Sequence, residues 1–135
     1  MSACIVGWSH TPFGKHEGKD VEALIAQVAT QAVADAGLEI EDIDDIMLGT
    51  YSEGFSPQGF PASLVLQASD RFRFTPATHI ENACATGSAA ILQGIKSIKA
   101  KDARFVLVVG VEKMTALPGD EIGRTLLKAS YLKEE

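Results

Sequence analysis

Hydrophobic and polar positions follow two alternating patterns along this chain. Four short segments, apolar throughout or alternating with polar residues, are typical of strands: residues 3–8, 45–50, 77–83 and 105–111. Three segments between them are typical of helices: residues 21–36, 61–68 and 88–100. The resulting order of strand, helix, strand, helix, strand, helix, strand predicts a layered α/β domain. The nearly continuous apolar strands predict a sheet covered on both faces.

Local signals support the helices to different degrees. Asp20 is a predicted N-cap and Gly37 a predicted C′ glycine, so residues 21–36 form the best-defined helix. Pro61 is typical of a first helical position. The helix at 88–100 begins with residues that are apolar on nearly every side, a pattern typical of a helix buried inside a larger protein. Residues 119–135 have helical character but end in charges without a C-cap, so we expect the fold to be unfinished there.

Composition narrows the classes of function. The 135 residues are 46% hydrophobic and 22% charged, which suits one globular domain. A formal net charge of −6, with no basic cluster, argues against nucleic acid. The longest apolar run, residues 105–111, is too short to cross a membrane, and no signal peptide is evident. The two cysteines are too few for a disulfide framework, so we expect a reducing, cytoplasmic location.

The most informative segment is residues 81–90 (ENACATGSAA), which puts Cys84 where a predicted strand meets a predicted helix. The N–H groups and partial positive charge of a helix N-terminus stabilise a thiolate, and they also stabilise the oxyanion that forms when a thiolate attacks a carbonyl. The small neighbours permit a tight turn of the kind that presents nucleophiles. The local pattern leaves two interpretations of Cys84 open, a nucleophile or a small buried hydrophobic residue.

Other residues with catalytic potential lack partners in the sequence. His79 precedes Cys84 by five residues on the same predicted strand, too far along it to contact the thiol, and His10 and His16 belong to the first loop. We interpret all three as structural or surface histidines. Cys4, within the first predicted strand, is a predicted core residue. No spacing typical of a metal site or a phosphate-binding loop is present, so no metal is expected.

Three segments, in order, resemble the thiolase family: residues 11–15 (TPFGK), 82–90 (NACATGSAA) and 109–115 (VGVEKMT). Residues 82–90 are similar to the family's nucleophile turn and the helix that follows it. Residues 109–115 are similar to the family segment that ends the strand after this helix. The sequence around Cys84 and Glu112 most closely resembles the branch that includes sterol-carrier-type and archaeal thiolase-like proteins. This resemblance identifies the chain as the N-terminal part of a thiolase-like protein such as an acetyl-CoA acetyltransferase.

The resemblance implies acyl transfer between coenzyme A thioesters through an acyl group held on Cys84. A second acyl-coenzyme A, deprotonated beside its carbonyl, attacks this thioester and gives a 3-ketoacyl product, and the reverse reaction cleaves such a product. The Cys84 N–H is implied to form part of an oxyanion hole. The coenzyme A thioester is a substrate, and no permanently bound cofactor is implied. Family members are dimers or tetramers, so a homo-oligomer is expected.

The resemblance also implies that much of the protein is missing here. We expect residues 1–117 to be the N-terminal thiolase-like α/β domain (βαβαβαβ) without its last strand, and residues 118–135 to begin the loop domain. The histidine that activates the nucleophile belongs to the C-terminal half, so this chain alone should be nearly inactive. Two alternatives stay open: a ketosynthase-like condensing enzyme, which shares the fold and the cysteine, and a non-catalytic thiolase-like scaffold subunit.

Overall fold

The structure is a computed structural model that describes residues 2–131 and 133, without the side chain of Glu53. Within these residues the strands are β1 (Asp45–Thr50), β2 (Ala77–Glu81) and β3 (Val106–Gly110). The α-helices are α1 (Val21–Asp35), α2 (Thr86–Ala100) and α3 (Gly119–Leu127). Short 3₁₀ segments join them, among them Pro61–Gln67 and Ala83–Ala85.

The three strands form one parallel sheet in the order β2-β1-β3. Leu48 pairs with His79 of β2 and with Val109 of β3, which aligns the three strands. Because parallel strands all run in one direction, the segments that follow β1, β2 and β3 emerge at the same edge of the sheet. This carboxyl edge therefore brings together residues that are far apart in the sequence.

Helices cover both faces of the sheet. Ile46 and Leu48 of β1 belong to a buried cluster that also contains Ile25 of α1. The alternate β1 residue Gly49 meets α2 on the other face, where a Cβ on it would lie 2.6 Å from Thr86 Cγ2. Since alternate residues of a strand point to opposite faces, α1 and α2 lie on opposite sides of the sheet. The predicted layered α/β fold with both faces covered is confirmed.

Helix α1 begins and ends at the residues that the sequence indicates. The Asp20 carboxylate accepts a hydrogen bond from Ala23 N at 2.8 Å, as an N-cap does. Gly37 has a φ of +67° at the other end, and Leu38 N donates to Val33 O across the last turn at 3.1 Å. These contacts form the C-terminal motif that the left-handed conformation of glycine favours.

The predicted strand at residues 3–8 is wrong. This segment forms no strand and leaves large side chains exposed, with Ile5 83% and Trp8 70% accessible. It packs instead beside the end of α1, where Trp8 N donates to the Asp35 carboxylate at 2.9 Å. An apolar pattern indicates only that a segment can join a sheet. Among the described residues, no strand pairs with this segment. Cys4, predicted to be a core residue, is exposed for the same reason.

Other boundaries shift by a few residues. The predicted helix at 61–68 is a 3₁₀ helix, Pro61–Gln67, with proline at its start. Strand β2 ends at Glu81 rather than at residue 83 because the chain turns into the 3₁₀ segment Ala83–Ala85. Helix α2 consequently begins at Thr86, two residues before the predicted start. Of the last stretch, Leu132, Glu134 and Glu135 lie outside the described residues.

Candidate functional site

Cys84 lies on a sharp turn between β2 and α2, at the carboxyl edge of the sheet. The turn is the 3₁₀ segment Ala83–Ala85, and the Cys84 thiol is free and exposed. Ala83 has a φ of +45°, a left-handed conformation that is costly for any residue with a Cβ. The sequence predicted both the position of Cys84 at this junction and the tightness of the turn. The exposed thiol argues against the interpretation of Cys84 as a buried hydrophobic residue.

Thr86, the first residue of α2, ties this turn to β1. Its Oγ1 accepts a hydrogen bond from Asn82 N at 2.7 Å. The Thr86 hydroxyl also donates its single hydrogen, which is shared between Ala83 O at 2.8 Å and Thr50 O at 3.1 Å. Thr86 is only 6% exposed, so these bonds are shielded from water. The backbone on both sides of Cys84 is thus held by one buried hydroxyl group.

The three histidines have partners other than Cys84. The His79 Nε2 lies 2.7 Å from Thr50 Oγ1, which makes the pair a contact between β2 and β1. The His16 Nε2 lies 2.7 Å from Pro12 O, and the His10 ring meets the Phe13 ring edge-on at 4.9 Å between centroids. The described residues therefore bring no imidazole to the thiol by hydrogen bonding.

Glu112 joins the segments that follow β1 and β3 at the same sheet edge. Its Oε2 accepts a hydrogen bond from Tyr51 N at 2.7 Å. Burial raises the pKa of the Glu112 carboxyl above its usual value, and hydrogen bonds from the backbone N–H groups of Tyr51 and Lys113 partly oppose that rise. The Lys113 ammonium group in turn donates to the carbonyl oxygens of His16 and Lys19, which holds the first loop against this edge.

A wide groove of about 1430 Å³ includes Cys84 in its lining. Its other walls are the N-terminal segment 2–14, the edge of β3, and side chains from both helical layers, among them Val28 of α1 and Ile91 of α2. Since β1 occupies one edge of β3, the groove runs along the other edge, between the two layers. Among the described residues, His, Cys, Asp and Glu side chains form no group of three that could hold a metal ion.

Sequence reasoning identified Cys84 and the two motifs that contain Thr86 and Glu112, but it gave Thr86 no role and did not single out Thr50 or Tyr51. The available signal was positional. Thr50 ends β1, Tyr51 directly follows it, and Thr86 begins α2, so all three lie at the carboxyl edge of a parallel sheet. Side chains at this edge are well placed to build binding sites in α/β folds. Separately, no helix in the described part of the chain is long and apolar enough to cross a membrane.

Fold and site together define an α/β protein with helices on both faces of a parallel sheet and an exposed cysteine on a strained turn at the sheet's carboxyl edge. Residues 3–134 match the family model described as "Thiolase, N-terminal domain". The chain belongs to the thiolase family, and the resemblance drawn from the three sequence segments is confirmed at this level.

Individual relatives agree with this assignment. The chain is 37% identical to the acetyl-CoA acetyltransferase of Methanocaldococcus jannaschii over 112 residues, which are 82% of this chain and 28% of the relative. It is 30% identical to the mitochondrial 3-ketoacyl-CoA thiolase of Homo sapiens over 118 residues, 84% of this chain and 30% of that protein. The chain therefore spans less than a third of the length of these two relatives.

Solved structures show the same fold. The acetyl-CoA acetyltransferase from Syntrophomonas wolfei superposes with a TM-score of 0.72 over 84% of this chain and 29% of its own, at 23% identity, which shows the fold alone. The 3-oxoacyl-(acyl-carrier-protein) synthase III from Aquifex aeolicus VF5 superposes with a TM-score of 0.66 over 74% of this chain and 32% of its own, at 29% identity.

Proposed function

We propose that the complete polypeptide carrying this sequence is a thiolase-type acyltransferase and that Cys84 is its nucleophile. The observation that carries the proposal is the exposed Cys84 thiol on a strained turn at the start of α2. Membership of the thiolase family, and relatives named acetyl-CoA acetyltransferase and 3-ketoacyl-CoA thiolase, support the choice of reaction. The substrates are coenzyme A thioesters, which enter and leave, so no permanently bound cofactor is required.

In the first half-reaction the Cys84 sulfur attacks the carbonyl carbon of an acyl-coenzyme A. A tetrahedral oxyanion forms and collapses, the bond from the acyl carbon to the coenzyme A sulfur breaks, and coenzyme A leaves with the proton that Cys84 gave up. Ala85 N donates to Asn82 O at 2.9 Å and Thr86 N donates to Ala83 O, so both donors are engaged within the turn. The neighbouring Cys84 N–H, without a partner among the described residues, is free to stabilise the oxyanion.

In the second half-reaction the acyl group leaves Cys84. A second acyl-coenzyme A, deprotonated beside its carbonyl, attacks the thioester carbon and yields 3-ketoacyl-coenzyme A with Cys84 restored. In the opposite direction, coenzyme A attacks an acyl group that a 3-ketoacyl-coenzyme A has left on Cys84. Both directions pass through a covalent intermediate that divides one difficult exchange into two steps. The bases come from the remainder of the polypeptide, because the histidines described here bind other groups.

The domain organisation forms part of this proposal. Residues 1–117 are the N-terminal domain without its last strand, and residues 118–135 begin a loop domain. The groove beside β3 supports the missing strand, because it lies between the two helical layers and presents an unpaired strand edge. We further propose that the complete protein is a homo-oligomer, either a dimer or a tetramer. Its proposed location is the reducing cytoplasm, which would keep Cys84 a free thiol.

The test is acylation of Cys84 in the complete natural polypeptide incubated with acetyl-coenzyme A. Peptide mass spectrometry is expected to find one acetyl group on Cys84, and C84A should lose both the label and acyl exchange between thioesters. C4A is the matched control, because Cys4 is also a free, exposed cysteine and should be dispensable. An unlabelled Cys84, or full turnover by C84A, would rule out the proposed role and favour a non-catalytic scaffold.

A ketosynthase-type condensing enzyme is the second candidate, and the structural likeness to 3-oxoacyl-(acyl-carrier-protein) synthase III favours it. The two candidates differ in the carrier of the acyl groups. Offering the protein the same acyl group on coenzyme A and on acyl carrier protein separates them. A thiolase should form and cleave 3-ketoacyl-coenzyme A without any carrier protein, whereas product formed only with acyl carrier protein would support the ketosynthase.

A further inference from the structure

We propose that Thr86 is a positioning residue whose hydroxyl group holds the Cys84 turn in the orientation that acyl transfer requires. This inference rests on the proposed role of Cys84 as nucleophile. Thr86 does not need to touch the substrate, because its hydroxyl acts on the backbone that carries the thiol and the Cys84 N–H.

The hydrogen bonds of Thr86 enclose the turn. Its Oγ1 accepts from Asn82 N at 2.7 Å, two residues before Cys84, and lies 2.8 Å from Ala83 O, one residue before it. The same oxygen reaches Thr50 O at the end of β1 at 3.1 Å. One side chain therefore fixes the turn both internally and against the sheet.

The conformation of Ala83 explains why such a restraint is needed. With a φ of +45°, Ala83 occupies a region that residues with a Cβ avoid, and strained backbone of this kind persists only where the surroundings enforce it. Without the hydroxyl group, Asn82 N would lose its acceptor, and the turn would lose the contact that opposes its relaxation. Relaxation would move both the Cys84 sulfur and its N–H relative to an acyl group.

The Thr86 methyl group serves a separate purpose. It lies so close to β1 that a Cβ on Gly49 would stand 2.6 Å from Thr86 Cγ2, so it fills the space between α2 and the sheet. The hydroxyl group makes the hydrogen bonds to the turn and to Thr50 O, whereas the methyl group packs against Gly49. Thr50 offers Thr86 only its backbone carbonyl, and the Thr50 Oγ1 lies 2.7 Å from His79 Nε2 on β2 instead. Substitutions can therefore remove either function of Thr86 and leave the other.

The experiment compares T86V, which keeps the shape and loses the hydroxyl, with T86S, which keeps the hydroxyl and loses the methyl. Both are made in the complete natural polypeptide. Three quantities are measured: the rate of Cys84 acylation by acetyl-coenzyme A, the rate of Cys84 alkylation by iodoacetamide, and the melting temperature. Alkylation reports access and nucleophilicity of the thiol, whereas acylation also needs the oxyanion donor in place.

T86V is expected to acylate about tenfold or more slowly, because small displacements of reacting groups cost rate steeply, while T86S stays within about threefold of the unaltered protein. Alkylation should fall far less than acylation in T86V. The melting temperature should fall in both variants, in T86S because a buried methyl group is lost and in T86V because Asn82 N loses its acceptor, so only the acylation rate separates the two roles. If T86V does not fold, T86A and T86S form a second pair that differs only by the hydroxyl.

Acylation by T86V at the unaltered rate, or equal losses of acylation in T86S and in the variant without the hydroxyl, would overturn the inference. The proposed function is tested separately, by acylation of the unaltered protein. If the unaltered protein is not acylated at Cys84, the nucleophile assignment fails and the role of Thr86 fails with it. If the unaltered protein is acylated but the hydroxyl makes no difference, only the inference fails.

Discussion

Residues with a positive φ mark the points where the chain reverses direction sharply. Among the described residues with a Cβ, these are His16, Ala83 and Lys101, with φ values of 48°, 45° and 66°. Lys101 ends α2 in the same way as Gly37 ends α1. Asp102 N donates to Ser97 O at 3.1 Å, a bond across the last helical turn that matches the one at α1. The same motif thus appears once with glycine and once with lysine.

The two helix-ending residues, Gly37 and Lys101, lead to a prediction about the free energy of unfolding. K101G should raise the free energy of unfolding by about 0.5–1 kcal/mol, because glycine adopts a left-handed conformation without a steric cost. G37A is the matched change in the opposite direction and should lower it by about 1 kcal/mol. Urea unfolding measures both. A loss of stability in K101G would mean that the Lys101 side chain makes a contact worth more than the backbone strain.

At the scale of elements, Asp44 joins the starts of β1 and β3. Its carboxylate accepts hydrogen bonds from Arg104 N at 2.7 Å and from Phe105 N at 3.0 Å. The hydrogen bonds from Phe105 and then Arg104 hold the pKa of the Asp44 carboxyl below its ordinary value of 3.8. This carboxylate therefore fixes the connection from α2 into β3 beside the beginning of the neighbouring strand.

Removing the Asp44 carboxylate should weaken the sheet in a manner that depends on pH. D44A is expected to lower the free energy of unfolding by about 1–3 kcal/mol at neutral pH, because two N–H groups lose a charged acceptor. Because the Asp44 pKa is lower in the folded than in the unfolded state, the ionised carboxylate stabilises the fold at pH values above its unfolded-state pKa. This stabilisation is lost as the pH falls through the folded-state pKa. The difference between D44A and the unaltered protein should therefore shrink below pH 3.8.

The matched control is D102A, because Asp102 is an exposed carboxylate in the same connection between α2 and β3. It should change stability little, because the exposed Asp102 side chain makes no hydrogen bond with another described residue. Urea unfolding of the three proteins between neutral pH and pH 3 provides the comparison. A constant difference between D44A and the unaltered protein across this range would show that Asp44 does not act through its charge.

At the scale of the whole molecule, the groove beside β3 exposes apolar side chains that no other described residue covers. Ile5 and Val6 on the N-terminal segment line this groove and are exposed, as is Ile91 of α2. Exposed apolar patches of this kind typically mark surfaces that another part of a protein covers. The sequence had indicated this for α2, whose first half is apolar on nearly every side.

The proposed missing strand yields a prediction about hydrogen exchange in the complete polypeptide. A strand in the groove would pair with β3 on one side and with residues 3–8 on the other, so the amides of residues 3–8 should exchange slowly. Mass spectrometry of exchanged peptides measures this protection. Strand β1, paired on both edges, is the protected reference, and residues 56–60 are the unprotected one. Rapid exchange at residues 3–8 would mean that no strand pairs there.

The parts of the molecule that the sequence predicted are those that depend on neighbours in the chain. Asp20 and Gly37 delimit α1 through contacts within one helical turn, and such contacts are visible in a local pattern. Strand β1 and the junction at Cys84 were also placed correctly, because a change from strand to helix periodicity spans only a few residues. Three short segments in order were enough to indicate the thiolase family.

Long-range contacts, by contrast, were decided only by the tertiary structure. Thr86 meets Thr50 across 36 positions and Glu112 meets Tyr51 across 61, because parallel strands bring their carboxyl ends to one edge. The sequence determined that residues 3–8 could form a strand, whereas the described part of the fold places no strand beside them to pair with. The physical reason is that periodicity encodes which face of a segment is apolar, while pairing and proximity depend on what the rest of the fold places beside it.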